Sequence, residues 1–200
     1  NIERVSSLYL TKTIYSVLLC VIFILLERAY PFIPIQLSWI STTAIGIPSF
    51  ILALEHTESV NSSGFLRHVL RIALPSAVTM VLSLLVIQVL GRFWHMEETL
   101  TYTFNLLAGG AVAMMVVVKV CRPMNWLRRA LSISIIVIFC AGILVAPGFL
   151  GIYSIFRWEM ALMVPLLCMV IVFFKMFTDF AEGCFWARRW IKRKMKRKVL

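Results

Sequence analysis

Six runs of about 18 or more apolar residues, at roughly 6–26, 35–54, 69–90, 100–118, 130–147 and 159–177, constrain this chain before anything else does. A helix rises about 1.5 Å per residue, so each run is close to the length that crosses the roughly 30 Å hydrocarbon core of a bilayer. Lipid offers backbone N–H and C=O groups no partners, and a continuous apolar run satisfies them internally as a helix. Pro, Gly or charged residues punctuate the gaps, which are short, and no internal repeat or Gly/Ser-rich linker is evident. The expected fold is therefore all-α, a polytopic membrane bundle of six transmembrane helices arranged as hairpins. The opening residues NIERVSSLYL show no basic n-region, and no small-residue cleavage site follows the first apolar run, so that span is expected to persist in the mature protein.

Charge orients the bundle. If both termini are cytoplasmic, the inside segments hold Arg4, Arg67, Arg71, Lys119, Arg122, Arg128, Arg129, Lys175 and the eight basic residues of the tail, against Arg28, Arg92 and Arg157 outside. That asymmetry is the positive-inside pattern, so the formal charge of +11 reads as topology and not as nucleic-acid binding. Residues 1–184 are expected to form the transmembrane domain and 185–200 a basic cytoplasmic tail. The tail, FWARRWIKRKMKRKVL, interleaves Phe185, Trp186, Trp190 and Ile191 with Arg188, Arg189, Lys192 and Arg193. It suits either an interfacial helix gripping anionic lipid or a plain stop signal with a frayed end.

Little in the chain points to catalysis. Cys20, Cys121, Cys140, Cys168 and Cys184 are scattered singly, with no CxxC spacing, and read as small packing residues. His56, His68 and His95 are far apart in sequence and read poorly as a metal site. Nothing resembles a nucleophile–base set or a phosphate-binding loop.

Polar residues at membrane depth are costly, and the second run concentrates them. QLSWISTTAIGIPSFILALE, residues 36–55, steps Ser38, Ser41, Thr42, Ile45 and Ser49 around an arc of roughly 100°. Pro48 has no N–H, and its ring crowds the carbonyl of Ala44, so a helix break is expected at Gly46 and Pro48 with that carbonyl freed. A freed carbonyl beside hydroxyls is hard-cation chemistry, although hydroxyls and prolines also serve packing alone. Lys12 lies about 21 Å below the outer end of the first run, where it either snorkels to the interface or stands beside an ion path. Asn105 in the fourth run reads as an auxiliary ligand or as an interhelical hydrogen-bonding residue. Glu55 is expected at the cytoplasmic mouth.

IERVSSLYLTKTIYS and YPFIPIQLSWISTTAIGIPSFILALE resemble the fifth and sixth membrane helices of P-type cation-transporting ATPases, and hydropathy and loop length extend the resemblance, more weakly, over all 200 residues. The nearest pattern is that of the bacterial cation-transporting ATPase E subfamily. In that comparison Pro34, Gln36, Trp39, Gly46 and Pro48 fall on the sixth-helix motif. The resemblance implies the C-terminal membrane half, fifth to tenth helices, of a pump that moves calcium or another inorganic cation across the bacterial plasma membrane. It places Thr13 and Ser16 near the fifth-helix ligands, and Ser41, Ala44 and Ile45 where related calcium pumps carry Asn, Thr and Asp. The carboxylate is thus absent here. Pumps with a basic residue in the fifth helix imply a built-in counter-ion role for Lys12.

The same resemblance puts the phosphorylation and nucleotide-binding domains upstream, with ATP and Mg²⁺ as the parent pump's cofactors and none in the fragment, which is expected not to hydrolyse ATP alone. The partners implied are the bilayer, the transported cation and those upstream domains, with no nucleic acid. A stand-alone six-helix channel or secondary transporter, or a non-functional pump fragment, are the alternatives.

Overall fold

The computed structural model describes residues 2–55, 65–152 and 161–196, with side chains through residue 183. Among the described residues there is no strand, and six helices are long and apolar enough to cross a membrane. The spans are Ile2–Leu25, Pro34–Leu54, Phe65–Phe93, Glu98–Val120, Trp126–Val145 and Met163–Gly183, the last continuing as helix to Lys196.

Two of these helices outrun their apolar cores. The third span holds 29 residues, about 44 Å of helix, so its ends reach past a roughly 30 Å hydrocarbon layer and carry Arg67, His68 and Arg71 at one end and Arg92 at the other. The sixth helix passes without a break through the position where the basic tail was expected to start, residue 185. The tail's side chains, with His56, Cys184, Arg157 and Glu159, lie outside the described residues.

Packing follows the distribution of small residues. The fourth span is the hub, with 72% of its most apolar window buried against 28% for the first and sixth spans. Gly109 and Gly110 make this possible. A Cβ on Gly109 would stand 2.8 Å from the Phe32 ring, and one on Gly110 would strike the Phe139 ring. On the fifth span Gly142 gives way in the same manner to Trp39 of the second. Glycine thus lets aromatic rings approach helix backbones, the association that small residues favour where lipid supplies no hydrophobic drive. The first and third hairpins close alike. Glu27 and His95 adopt left-handed backbone (φ 52° and 49°), and the following N–H groups of Arg28 and Met96 reach back to the Phe23 and Gly91 carbonyls at 2.9 and 2.8 Å.

Candidate functional site

The second span carries its irregularity as a turn of π-helix, Thr42–Gly46, between α-helical halves. The Ile47 N–H donates to the Thr42 carbonyl, five residues back, while Gly46 and Ile47 keep helical dihedrals. The helix is therefore not unwound at Gly46 and Pro48, as the sequence led us to expect. One extra residue in the turn widens it, which accommodates a proline ring that would collide with the carbonyl four residues earlier in an α-helix. Such bulges occur often at functional sites.

The extra residue also rotates the halves against each other. Thr43, Ala44, Ile45 and Ser49 are buried, Ser41 is half-buried, and Ser38 and Thr42 lie on the exposed surface. The expected polar arc is split accordingly. The hydroxyl protons are spent locally: Ser38 donates to Pro34 O (3.0 Å), Ser41 to Leu37 O (2.7 Å), Thr43 to Trp39 O (2.8 Å) and Ser49 to Gly46 O (3.0 Å). Their oxygens keep lone pairs for a cation.

A small cavity with room for about one water molecule, roughly 20 Å³, lies where the first four spans meet. Thr11, Lys12 and Tyr15 of the first span, Ala44 and Ile45 of the π-turn and Met80 of the third line it. The structure thus brings Lys12 and Ala44 together. Lys12 is half-buried and makes no ion pair among the described residues. Tyr15, 3% exposed, has a buried hydroxyl with no hydrogen-bond partner, an arrangement that costs free energy wherever no ligand meets it. Sequence reasoning passed over Thr11 and Tyr15, whose only signal is their one-turn spacing from each other on either side of Lys12.

Other expected site residues lie elsewhere. Thr13 is exposed and donates to Tyr9 O at 3.0 Å. Ser16 is hydrogen-bonded to the Tyr30 hydroxyl in the loop between the first and second spans, where burial raises the phenol pKa against that bond, so Tyr30 is neutral at physiological pH. Asn105 is fully buried and donates from Nδ2 to the Pro31 carbonyl at 2.8 Å, which braces the loop between the first and second spans. Gln36 does the same for the loop after the fifth span, its Nε2 donating to Leu150 O at 3.0 Å.

Glu55 ends the second span in a two-pronged ion pair: Arg128 Nε meets Oε2 and Arg128 Nη2 meets Oε1, both at 2.9 Å. Arg128 Nη1 also donates to Pro123 O (2.9 Å), and Arg4 Nη1 stands 3.8 Å from Oε2. This carboxylate is already matched. Among the described residues no three His, Cys, Asp or Glu side chains are grouped to hold a metal, and the cavity presents an ammonium, hydroxyls and an apolar wall without an acid.

Comparison with known proteins finds relatives among cation-transporting ATPases. The chain is 36% identical over 143 residues, 66% of its length, to a probable cation-transporting ATPase, exp7, of Streptococcus pneumoniae, of which the match covers 18%. It is 37% identical over 160 residues, 70% of its length, to the calcium-transporting ATPase CtpE of Mycobacterium tuberculosis, covering 20% of that protein. A CtpE of Mycolicibacterium smegmatis is 37% identical over 142 residues, 64% of this chain and 18% of the relative. The chain thus spans about a fifth of the length of the curated relatives it matches. No family model and no solved structure matches it. Six helices fit to cross a bilayer and this similarity together make the chain a multi-pass cell-membrane relative of bacterial P-type cation-transporting ATPases.

Proposed function

We propose that this chain forms the membrane-embedded, ion-translocating part of an ATP-driven cation pump, with both ends of the six-helix unit cytoplasmic. The observation that carries the proposal is the cavity at Lys12, Tyr15, Ala44 and Ile45, beside a π-turn, in a chain similar to cation-transporting ATPases. Phosphorylation and nucleotide-binding domains belonging to the same pump, using ATP and Mg²⁺, would supply the energy. Calcium is the first cation to test, because relatives carry that name.

Within this scheme the cation passes between the first and second spans, with the Ala44 carbonyl of the π-turn and the Ser41 hydroxyl beside it as candidate oxygen donors, Thr42 joining them when the turn rotates it inward; Thr13 and Ser16 lie off this path. Asn105 serves the path from a distance by bracing the outer loop, and Glu55 marks its cytoplasmic mouth. Lys12 acts as a tethered cation that weakens binding of the transported ion and takes its place on the return step. Ile45 sits where an acid would neutralise a divalent ion. That charge must then come from helices beyond these six, or the ion carries a single charge.

The test is ATP hydrolysis by the complete pump in proteoliposomes, compared across calcium, magnesium, manganese, sodium and potassium. One cation should stimulate turnover, and Lys12→Ala should change the concentration needed for half-stimulation without loss of folded protein. The proposal fails if no cation alters hydrolysis or flux. The Lys12 role fails if selectivity and stoichiometry are unchanged in the variant.

A further inference from the structure

A second cavity, about 660 Å³, opens between the third, fourth, fifth and sixth spans at the end where they carry basic residues. Its size lies within the roughly 300–1,000 Å³ typical of small-ligand sites. The wall changes character along the helices. Met114, Met115, Ile136 and Phe174 line the part nearer the membrane centre, and Met114 lies about 9 Å of helix before Val120, where the helix ends just short of Arg122. Toward the helix ends the lining becomes Arg71, Lys119, Arg122 and Lys175, with His68, against the carboxylates of Asp179 and Glu182.

The charges do not cancel. Lys119 Nζ lies 3.2 Å and Arg71 Nη2 3.8 Å from Glu182, whose side chain is 47% exposed. Pairs in such a setting are worth about 1 kcal/mol or less and exchange partners readily. Arg122 and Lys175 are exposed and make no ion pair among the described residues, so two cations remain against the single carboxylate of Asp179. A ligand that fits must join an anionic head to an apolar body at the membrane surface.

We infer that this groove binds one anionic phospholipid, its phosphodiester held by Arg122 and Lys175 and an acyl chain laid along Met114, Met115, Ile136 and Phe174. The assignment is independent of the pump's cargo and uses none of the residues of the basic tail. A zwitterionic lipid offers the same chain contacts but brings an ammonium to a cationic rim, so the site discriminates by head-group charge.

Binding to the purified full chain in detergent would be measured by native mass spectrometry with phosphatidylglycerol, phosphatidylcholine and inorganic phosphate as probes, the tail unaltered throughout. Phosphatidylglycerol should bind more tightly than phosphatidylcholine. Arg122→Gln with Lys175→Gln should weaken it about 25-fold, about fivefold per charge, and Asp179→Asn should tighten it by about fivefold. Equal affinity for the two lipids would overturn the assignment. So would wild-type affinity in a folded double variant, or inorganic phosphate displacing the lipid at equal concentration, which would make the site one for free phosphate. Should the double variant misfold, the Asp179→Asn arm decides.

Discussion

The ends and the middle of the second span hold their polar groups in opposite ways. At its N-terminal end Gln36 reaches 114 residues along the chain to Leu150, and at the other end Glu55 reaches 73 residues to Arg128. In the middle, Ser41, Thr43 and Ser49 reach only three or four residues back along their own helix. The ends are fastened to other spans, while the π-turn between them is fastened to nothing else by hydrogen bonds among the described residues. A segment pinned at both ends and self-satisfied at its centre can change its turn geometry without breaking interhelical bonds. That is what a cation path needs if it is to open to one side and then the other.

Breaking the Glu55 end should cost most. Arg128, 4% exposed, is the two-pronged partner of Glu55, and Arg128→Met removes both prongs from a part-buried carboxylate, so a loss of about 3 kcal/mol in unfolding free energy is expected in detergent titrations. The double variant Arg128→Met with Glu55→Leu should recover a large part of it, because two apolar groups replace a pair that was costly to desolvate. Cys121 provides an independent readout. It is buried beside this cluster, and burial pushes its thiol pKa up despite the opposing influence of Ser132 and of the nearby Arg4 and Arg128 charges. The thiol therefore stays protonated and slow to alkylate at neutral pH, and it should react faster in Arg128→Met as the cluster opens.

The Gln36 end should matter less. Gln36→Leu removes one neutral hydrogen bond and orphans the Leu150 carbonyl, a loss of about 1–2 kcal/mol. Amide exchange at Gly151 and Ile152 should rise with it, and unchanged exchange there would show that Gln36 does not hold that loop.

These fastenings are what the amino-acid order conceals. The spans are legible because lipid forces apolar runs into helices, and even Phe65–Phe93 misleads only in length, since its charged ends wind on beyond the apolar stretch. The pairing of Glu55 with Arg128 has no local signal, because it depends on which hairpins pack together. The two internal prolines make the point sharply. Pro48 and Pro75 each deprive a carbonyl of its donor, yet only Pro48 has a π-turn before it, while Pro75 sits in continuous α-helix. Gly46, two residues before Pro48, presents no side chain to the widened turn, whereas Ala73 and Leu74 precede Pro75. Lys12 and the Ala44 segment were legible as unusual residues, but their convergence on one cavity with the unpartnered Tyr15 hydroxyl is a property of packing.

That contrast between prolines gives a test of the middle. Pro48→Ala restores an N–H able to reach the Ala44 carbonyl, so the π-turn should relax toward α-helix at a stability change within about 1 kcal/mol. Cation dependence of the complete pump should nevertheless shift. Pro75→Ala should leave cation dependence as it is, and equal shifts from both would show that helix bending in general, not the π-turn, governs the path.

The smallest effect on stability should come from the hydroxyls themselves. Thr42 is exposed and Ser41 donates within its own helix, so Ser41→Ala and Thr42→Ala remove no bond between spans. Interhelical side-chain bonds in membranes average about 0.6 kcal/mol, and these local ones should be worth no more. Ion handling separates structure from function here. Ser41 adjoins the π-turn and offers an oxygen lone pair, so Ser41→Ala should raise the cation concentration for half-maximal ATPase stimulation in the complete pump. Thr42→Ala should raise it less if that side chain stays outward, because an exposed hydroxyl meets the ion only when the turn rotates. If Thr42→Ala proves the stronger variant, the turn rotates Thr42 inward during transport, and the unfastened middle of the second span is the part that moves.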